Sequence, residues 1–319
     1  MNYKIADLLG CEYPILMGGM QWITKADFVA NVANGGGFAF ISASSFSDPQ
    51  ELAFEIEKTH LLTDKPFGVN LSMLPGTDSS EIINGYMDVI IREKVTVIET
   101  SGRSPRELVD KAKNAGIKVL HKVTSVRHAI SAEKLGVDAI VAVGYEAGGH
   151  PGMSQVGTFV TLPSVLSAVN VPVIAAGGIH DGRSMAASMV LGACGVLMGT
   201  RFLATKEAPI HNDCKNWIVK ASEADTIIVQ RTIRNALRCI KNNHALYVLG
   251  LESTHATFEE LYPFISGKLG KDAWETGITE GALLAIGQCI GTIQDIPSVG
   301  ELISRIIRDA RKATYGIEL

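Results

Sequence analysis

The sequence has no uninterrupted apolar run approaching the ~20 residues needed to cross a bilayer. Yet hydrophobic residues fill 46% of its 319 positions, enough for a sizeable core. A soluble chain of one large domain, with or without a smaller appendage, is expected. The N-terminus, MNYKIADLLG, lacks the apolar region of a secretory signal. Cysteine is scarce: Cys11, Cys194, Cys214, Cys239 and Cys289 are scattered, odd in number and form no CxxC. That argues against metal clusters and disulfide frameworks and points to a reduced, cytoplasmic compartment. His121 and His128 are too far apart for a pair on one helical face, and no metal site is expected. Low-complexity segments, linkers and charge runs are also missing. With 29 Lys+Arg against 33 Asp+Glu, the net charge of −4 argues against nucleic acid or an anionic membrane as main partner.

What the sequence does have is a repeated unit of apolar run, glycine loop and helix. The runs are Tyr13–Met17, Phe38–Ser42, Phe67–Leu71, Val95–Glu99, Ile117–Leu120, Ile140–Val143, Val173–Ala176 and Val196–Met198. Continuous Val, Ile and Ala without alternation is the pattern of buried parallel strands. Helical stretches follow at Ala26–Asn34, from Pro49 to about Leu62, up to Arg92, from Pro105 to before Gly116, at Val126–Leu135 and at Arg183–Leu191. A polar loop is expected at Pro75–Ser80. Repeated βα units of ~25 residues suggest an α/β fold, a (β/α)8 TIM barrel. An open doubly wound sheet fits less well, because no G-x-G-x-x-G opens the first βα turn.

After Leu203 the repeat ends. Cys214–Ala224, Thr232–Asn242, Phe258–Ile265 and Gly281–Ile293 read as helices. The expected organisation is a barrel from residues 1–207 and 294–319, with 208–293 inserted after strand eight as a small helical lid or substrate domain. Ser298–Thr314 has helical periodicity and would close the outer ring.

In such a barrel the chemistry sits at the C-terminal strand ends, with phosphate commonly on the loops after strands seven and eight. Gly177-Gly178 and Gly199-Thr200 fall there. Either pair alone would pass for a tight turn; together they suggest a phosphate cradle. His150, in AGGHPG, is a turn histidine or a reactive imidazole; its place at the catalytic face favours the second. Lys122 ends strand five and needs an anion: a cofactor, or a carboxylate such as Glu99 or Glu146. Asn70 lies inside an apolar strand, and a buried amide needs partners. Met20 and Gln21, after the first strand, suit the edge and face of a flat ring. The cysteines read as small buried hydrophobes.

The segments PILMGGMQWI, KPFGVNLSMLP, HKVTSVRHA, EAGGHPG, VPVIAAGGIHDGR and MGTRFLATKEAPIH together resemble the nitronate monooxygenase (2-nitropropane dioxygenase) family of FMN-dependent TIM-barrel oxidoreductases. Enoyl-acyl-carrier-protein reductase II and bacterial NADH:quinone reductases are its relatives. The resemblance covers most of the barrel. It implies FMN at the mouth, with the phosphate on Gly178, Gly199 and Thr200. Gly177 belongs to the same loop. Gly18, Gly19, Met20, Gln21, Asn70 and Lys122 would flank the ring or ribityl chain. Gly149 would offer backbone to the flavin, and His150 would be the active-site histidine. Some members have a serine in a C-terminal small-residue helix facing the flavin; Ala285 stands there. The implied activity is oxidation of alkyl nitronates or nitroalkanes with O2. Alternatives are NAD(P)H:quinone reduction, enoyl-acyl-carrier-protein reduction, disfavoured by the lack of a Lys/Arg run, and a non-catalytic flavin binder. NAD(P)H as co-substrate and a homodimeric assembly are further expectations.

Overall fold

Runs apolar on every residue form strands buried on both faces, and eight of them form the centre of this protein. The computed structural model describes residues 4–73 and 80–315. The polar loop expected at 75–80 lies outside them but for Ser80, which opens a helix. The strands are β1 Ile15–Met17, β2 Phe38–Ser42, β3 Gly68–Met73, β4 Val97–Gly102, β5 Lys118–Val123, β6 Ala139–Val143, β7 Val173–Ala176 and β8 Gly195–Met198. They pair in parallel in chain order, and β8 pairs with β1 to close the barrel.

Strand alternation sorts the side chains into two apolar clusters. Leu16, Phe40, Val97, Leu120, Val141, Ile174 and Leu197 pack together inside the barrel. Ile5 and Leu9, from the helix Lys4–Leu9, join that cluster. Their strand neighbours, such as Ile41, Val69, Ile98 and Val119, pack outward against the helices.

The helices start where their caps dictate. Asp48 accepts from the amide of Gln50, with Pro49 at the first position of Pro49–Leu62. Ser125 caps Val126–Leu135, and Gly136 ends it in the left-handed conformation. Asp181 with Ser184 and Ser298 with Glu301 form capping boxes on Gly182–Val190 and Val299–Thr314. Those two helices pack on each other and complete the outer ring.

Between the barrel's last strand and that final helix, residues 208–293 depart from expectation. The helices Asn212–Ile218, Asn243–Ser253, Phe258–Ile265 and Gly267–Thr276 are present. Thr232–Asn242, however, is not helical. It holds a turn and strand β10 (Leu237–Ile240), antiparallel to β9 (Thr226–Val229). Buried Glu252 secures the turn, accepting from the amides of Gln230 (2.7 Å) and Thr232 (3.0 Å) and from the Thr232 hydroxyl. Nor is Gly281–Ile293 one helix. Ala285 bridges Cys239, and the Ile240 amide donates to the Leu284 carbonyl. Those cross-chain bonds use the backbone groups a helix would need. Ala285 is therefore extended, between two short 3-10 turns at Thr279–Gly281 and Gln288–Thr292.

Candidate functional site

Two residues beyond the apolar plug, the same inward alternation delivers polar side chains. Val97 leads to Glu99, Leu120 to Lys122 and Gly68 to Asn70. Strand register sets Asn70 directly opposite Glu99. Glu99 has no solvent exposure, and its Oε2 gathers three donors. Lys122 Nζ lies at 2.9 Å, Asn70 Nδ2 donates at 2.7 Å and the Gly19 amide at 3.4 Å. Oε1 of Glu99 is buried without a partner among the described residues. Asn70 Oδ1 accepts in turn from the Ser72 hydroxyl (3.0 Å), which lies 3.1 Å from Ser101 Oγ. The carboxylate alternative for Lys122 is thus realised with Glu99, not Glu146.

The turn after β1 lies directly on this layer. A Cβ at Gly18 would be 3.3 Å from Lys122 Nζ, and one at Gly19 would collide with Asn70. Only glycine lets the backbone come so close. Met20 reaches across to β8, its sulfur 3.5 Å from where a Gly199 Cβ would be. Gln21 turns the other way: its amide donates to the Ser44 carbonyl (2.9 Å) and faces Gly267. Trp22 follows with φ +69°, an uncommon conformation for a bulky residue, held by a bond from its indole N–H to the Gly267 carbonyl (2.8 Å).

His150 stands on the loop between β6 and the helix Thr158–Leu166. Gly149 exchanges two backbone bonds with Arg238 of β10, at 3.0 and 2.7 Å. Arg238 is itself buried; its Nε donates to the Tyr145 carbonyl and its guanidinium lies 4.8 Å from the Tyr145 ring centroid. The hairpin in 208–293 therefore fixes the histidine loop from outside the barrel. Gly149 has φ +78°, and a Cβ there would meet nothing within 4 Å, so its backbone borders open space. Burial lowers the His150 pKa to about 4, which leaves the imidazole neutral at physiological pH. His121, beside Lys122, points the other way, to Nδ1–Oγ1 contact with Thr100 at 2.8 Å. Its pKa is also lowered to about 4, by burial first and then by His128.

The β7 and β8 loops meet nearby. Gly177 and Gly178 have φ +93° and +77°. Among the described residues, the amides of Gly178, Gly199 and Thr200 have no protein acceptor. Such a set of unpaired N–H groups fits an anion. Glu146 braces this corner. Its carboxylate accepts from the Thr158 amide and hydroxyl, and that hydroxyl also lies 2.7 Å from the Gly177 carbonyl. The Thr200 hydroxyl accepts from the Gly287 amide (2.8 Å), tying the loop to the segment after residue 281.

The expected residues thus converge at one barrel end, except Gln21, which faces away from the polar layer. Sequence reasoning gave no task to Ser72, Ser101, Thr158 or Arg238. Of these only Arg238, basic in a stretch read as helix, had a signal to find. No cluster of metal-ligating side chains occurs among the described residues. Burial raises every cysteine thiol, to about 11 for Cys11 and Cys214 and about 12 for Cys194, Cys239 and Cys289, away from thiolate character. No helix among the described residues is long and apolar enough to cross a membrane.

Comparison with known proteins agrees with this geometry. A family model described as nitronate monooxygenase matches residues 2–309. The chain is 33% identical to (3aS,4S,5R,7aS)-5-hydroxy-7a-methyl-1-oxo-octahydro-1H-indene-4-carboxyl-CoA dehydrogenase of Rhodococcus jostii, over 98% of this chain and 96% of that protein. It is 36% identical to a Staphylococcus aureus protein named "Probable nitronate monooxygenase", over 75% of this chain and 78% of that one. Among solved structures, FabK from Thermotoga maritima superposes with a TM-score of 0.89 at 36% identity, covering 98% of this chain and 97% of that one.

Proposed function

The chain belongs to the nitronate monooxygenase family of oxidoreductases, and on that premise we propose that it uses FMN to oxidise alkyl nitronates with O2. The observation that carries this reading is the set of unpaired amides of Gly178, Gly199 and Thr200 at the ends of β7 and β8, with His150 on the glycine loop after β6 and the polar strand-end layer of Asn70, Glu99 and Lys122. FMN, when bound, would carry electrons from substrate to acceptor. Gly178, Gly199 and Thr200 would hold its phosphate. Asn70 and Lys122 would present an amide and a cation to the ring system, and Gly18, Gly19, Met20 and Gly149 would admit it closely. His150, uncharged, can take the α-proton of a neutral nitroalkane. A preformed nitronate has already lost that proton and needs no base.

Anaerobic mixing with propyl-2-nitronate, NADH and NADPH in parallel tests the reading. Bleaching by nitronate, with turnover in air, supports it. Bleaching by NAD(P)H alone, with no nitronate turnover, transfers preference to quinone reduction.

A second reading, oxidation or reduction of an acyl thioester, is favoured by the hairpin. Arg231 and Arg234 stand exposed at its tip. With its amide oxygen turned toward Arg231, Gln155 accepts from that guanidinium at 2.5 and 2.6 Å, which sets Arg231 against the His150 loop. Fold, not a sequence run, brings the Arg231 charge to the His150 loop. It suits the phosphates of a coenzyme A tail, and the Rhodococcus relative's name is that of a CoA dehydrogenase. Turnover of acyl-CoA that Arg231→Ala/Arg234→Ala weakens through KM would favour this reading; indifference to both substitutions would remove it.

A further inference from the structure

The polar layer contains a charge that the FMN reading leaves without a role. Lys122 presents a cation to the mouth, yet Glu99 beneath it is a full countercharge, buried and 2.9 Å away. A lysine meant only to attract an anion gains nothing from a buried carboxylate, and burying that carboxylate is costly. All three described donors crowd one oxygen, and the other has none. That arrangement is poor for stability and good for holding three groups at one point: the lysine ammonium, the Asn70 amide and the Gly19 backbone. Each belongs to a different strand end, and each faces the expected ring site.

We propose that Glu99 is a positioning residue that sets the reduction potential of the flavin through Lys122. The inference rests on the FMN reading given above. Reduced FMN carries more negative charge than oxidised FMN, so a nearby cation favours the reduced form and raises the potential. Glu99 cancels part of that cation's field at short range and holds the potential down. A flavin kept lower in potential gives its electrons to an acceptor more readily. Glu99 thereby tunes the oxidising half of the cycle without touching the substrate.

The test is a double-mutant cycle read by potential and affinity, not by turnover. Glu99→Gln keeps the shape and removes the charge. It is expected to retain FMN and to favour binding of reduced over oxidised FMN about tenfold, a rise of about 30 mV for a two-electron couple. Placed on Lys122→Met, the same substitution should shift the ratio less than threefold, since the charge it unmasks is gone. Lys122→Gln replaces the methionine variant should that one melt too low. A shift of equal size in both backgrounds would mean that Glu99 acts on the flavin directly and would overturn the proposal. So would a loss of thermal stability in Glu99→Gln with the ratio unmoved, the mark of a purely structural pair. A wild-type protein that takes up no FMN removes the FMN reading and this proposal together. FMN bound with an unmoved ratio removes only this one.

Discussion

Replacing Lys122 with methionine keeps the apolar stem and deletes the ammonium 2.9 Å from Glu99 Oε2. The carboxylate left behind is fully buried, and its second oxygen has no partner among the described residues to share the charge. Breaking a buried pair costs about 3–5 kcal/mol. Asn70 and Gly19 still donate to Glu99, which places the penalty at the lower end, about 3 kcal/mol. For 319 residues, an unfolding entropy of about 2.1 cal/mol/K per residue converts that penalty to a melting point lower by about 4–5 °C. Thermal melts of the apo-protein would show this, and Glu99→Gln/Lys122→Met should melt closer to wild type than Lys122→Met does, because it also removes the stranded carboxylate. A double variant that melts as low as Lys122→Met would show that Lys122 does not compensate a buried carboxylate, and the account of the polar layer would fail.

His150→Ala should lower turnover of a neutral nitroalkane by about 10²–10⁴ and that of a preformed nitronate much less, with FMN content unchanged; equal losses on both substrates would assign the histidine to binding alone. Gly178→Asp and Gly178→Asn both strain a position at φ +77°, but only the first adds charge at the amide cradle. At least tenfold weaker FMN binding for Asp than for Asn is expected by titration, and equal affinities would misplace the phosphate. Wild-type stability should fall from about pH 6.5 toward pH 4, because His121, with its pKa lowered to about 4, must take up a proton more easily unfolded than folded. His121→Asn should remove about 2–3 kcal/mol of that pH dependence, and an unchanged acid limb in its denaturation profile would refute it.

The barrel was legible because its strands are buried on both faces, and nothing but continuous apolar residues suits that environment. Strand ends were not. β4 was expected to stop at Glu99 and β5 at Leu120, yet they continue to Gly102 and Val123. Thr100 and Ser101 read as loop because they are polar, and His121-Lys122 read as the bare end of strand five, although these residues are polar because the strands there reach the mouth. The hairpin failed for another reason. Leu237-Arg-Cys-Ile has no strand signature of its own, and its partner, Thr226–Val229, lies beyond any local window. Charge placement was hidden in the same way: Arg231 and Arg238 form no run, and only the β9–β10 hairpin brings them to the histidine loop.

One alternation accounts for both what was visible and what was not. Every second residue of a barrel strand points inward, so the residues that make the apolar plug and those that make the site are on the same register, two positions apart. Val97 and Glu99, Leu120 and Lys122, and Gly68 and Asn70 are such pairs. Moving any of these strands by one residue would carry its polar member out among the helices and an outward apolar residue into the mouth. The plug fixes the register through burial, and the register in turn brings Asn70, Glu99 and Lys122 onto one carboxylate oxygen. The geometry of the candidate site is therefore set by core packing one layer below it. Leu120→Ala, which changes no residue of the site itself, should therefore loosen the Lys122–Glu99 contact and weaken FMN binding by titration, and unchanged affinity would separate the site from the plug beneath it.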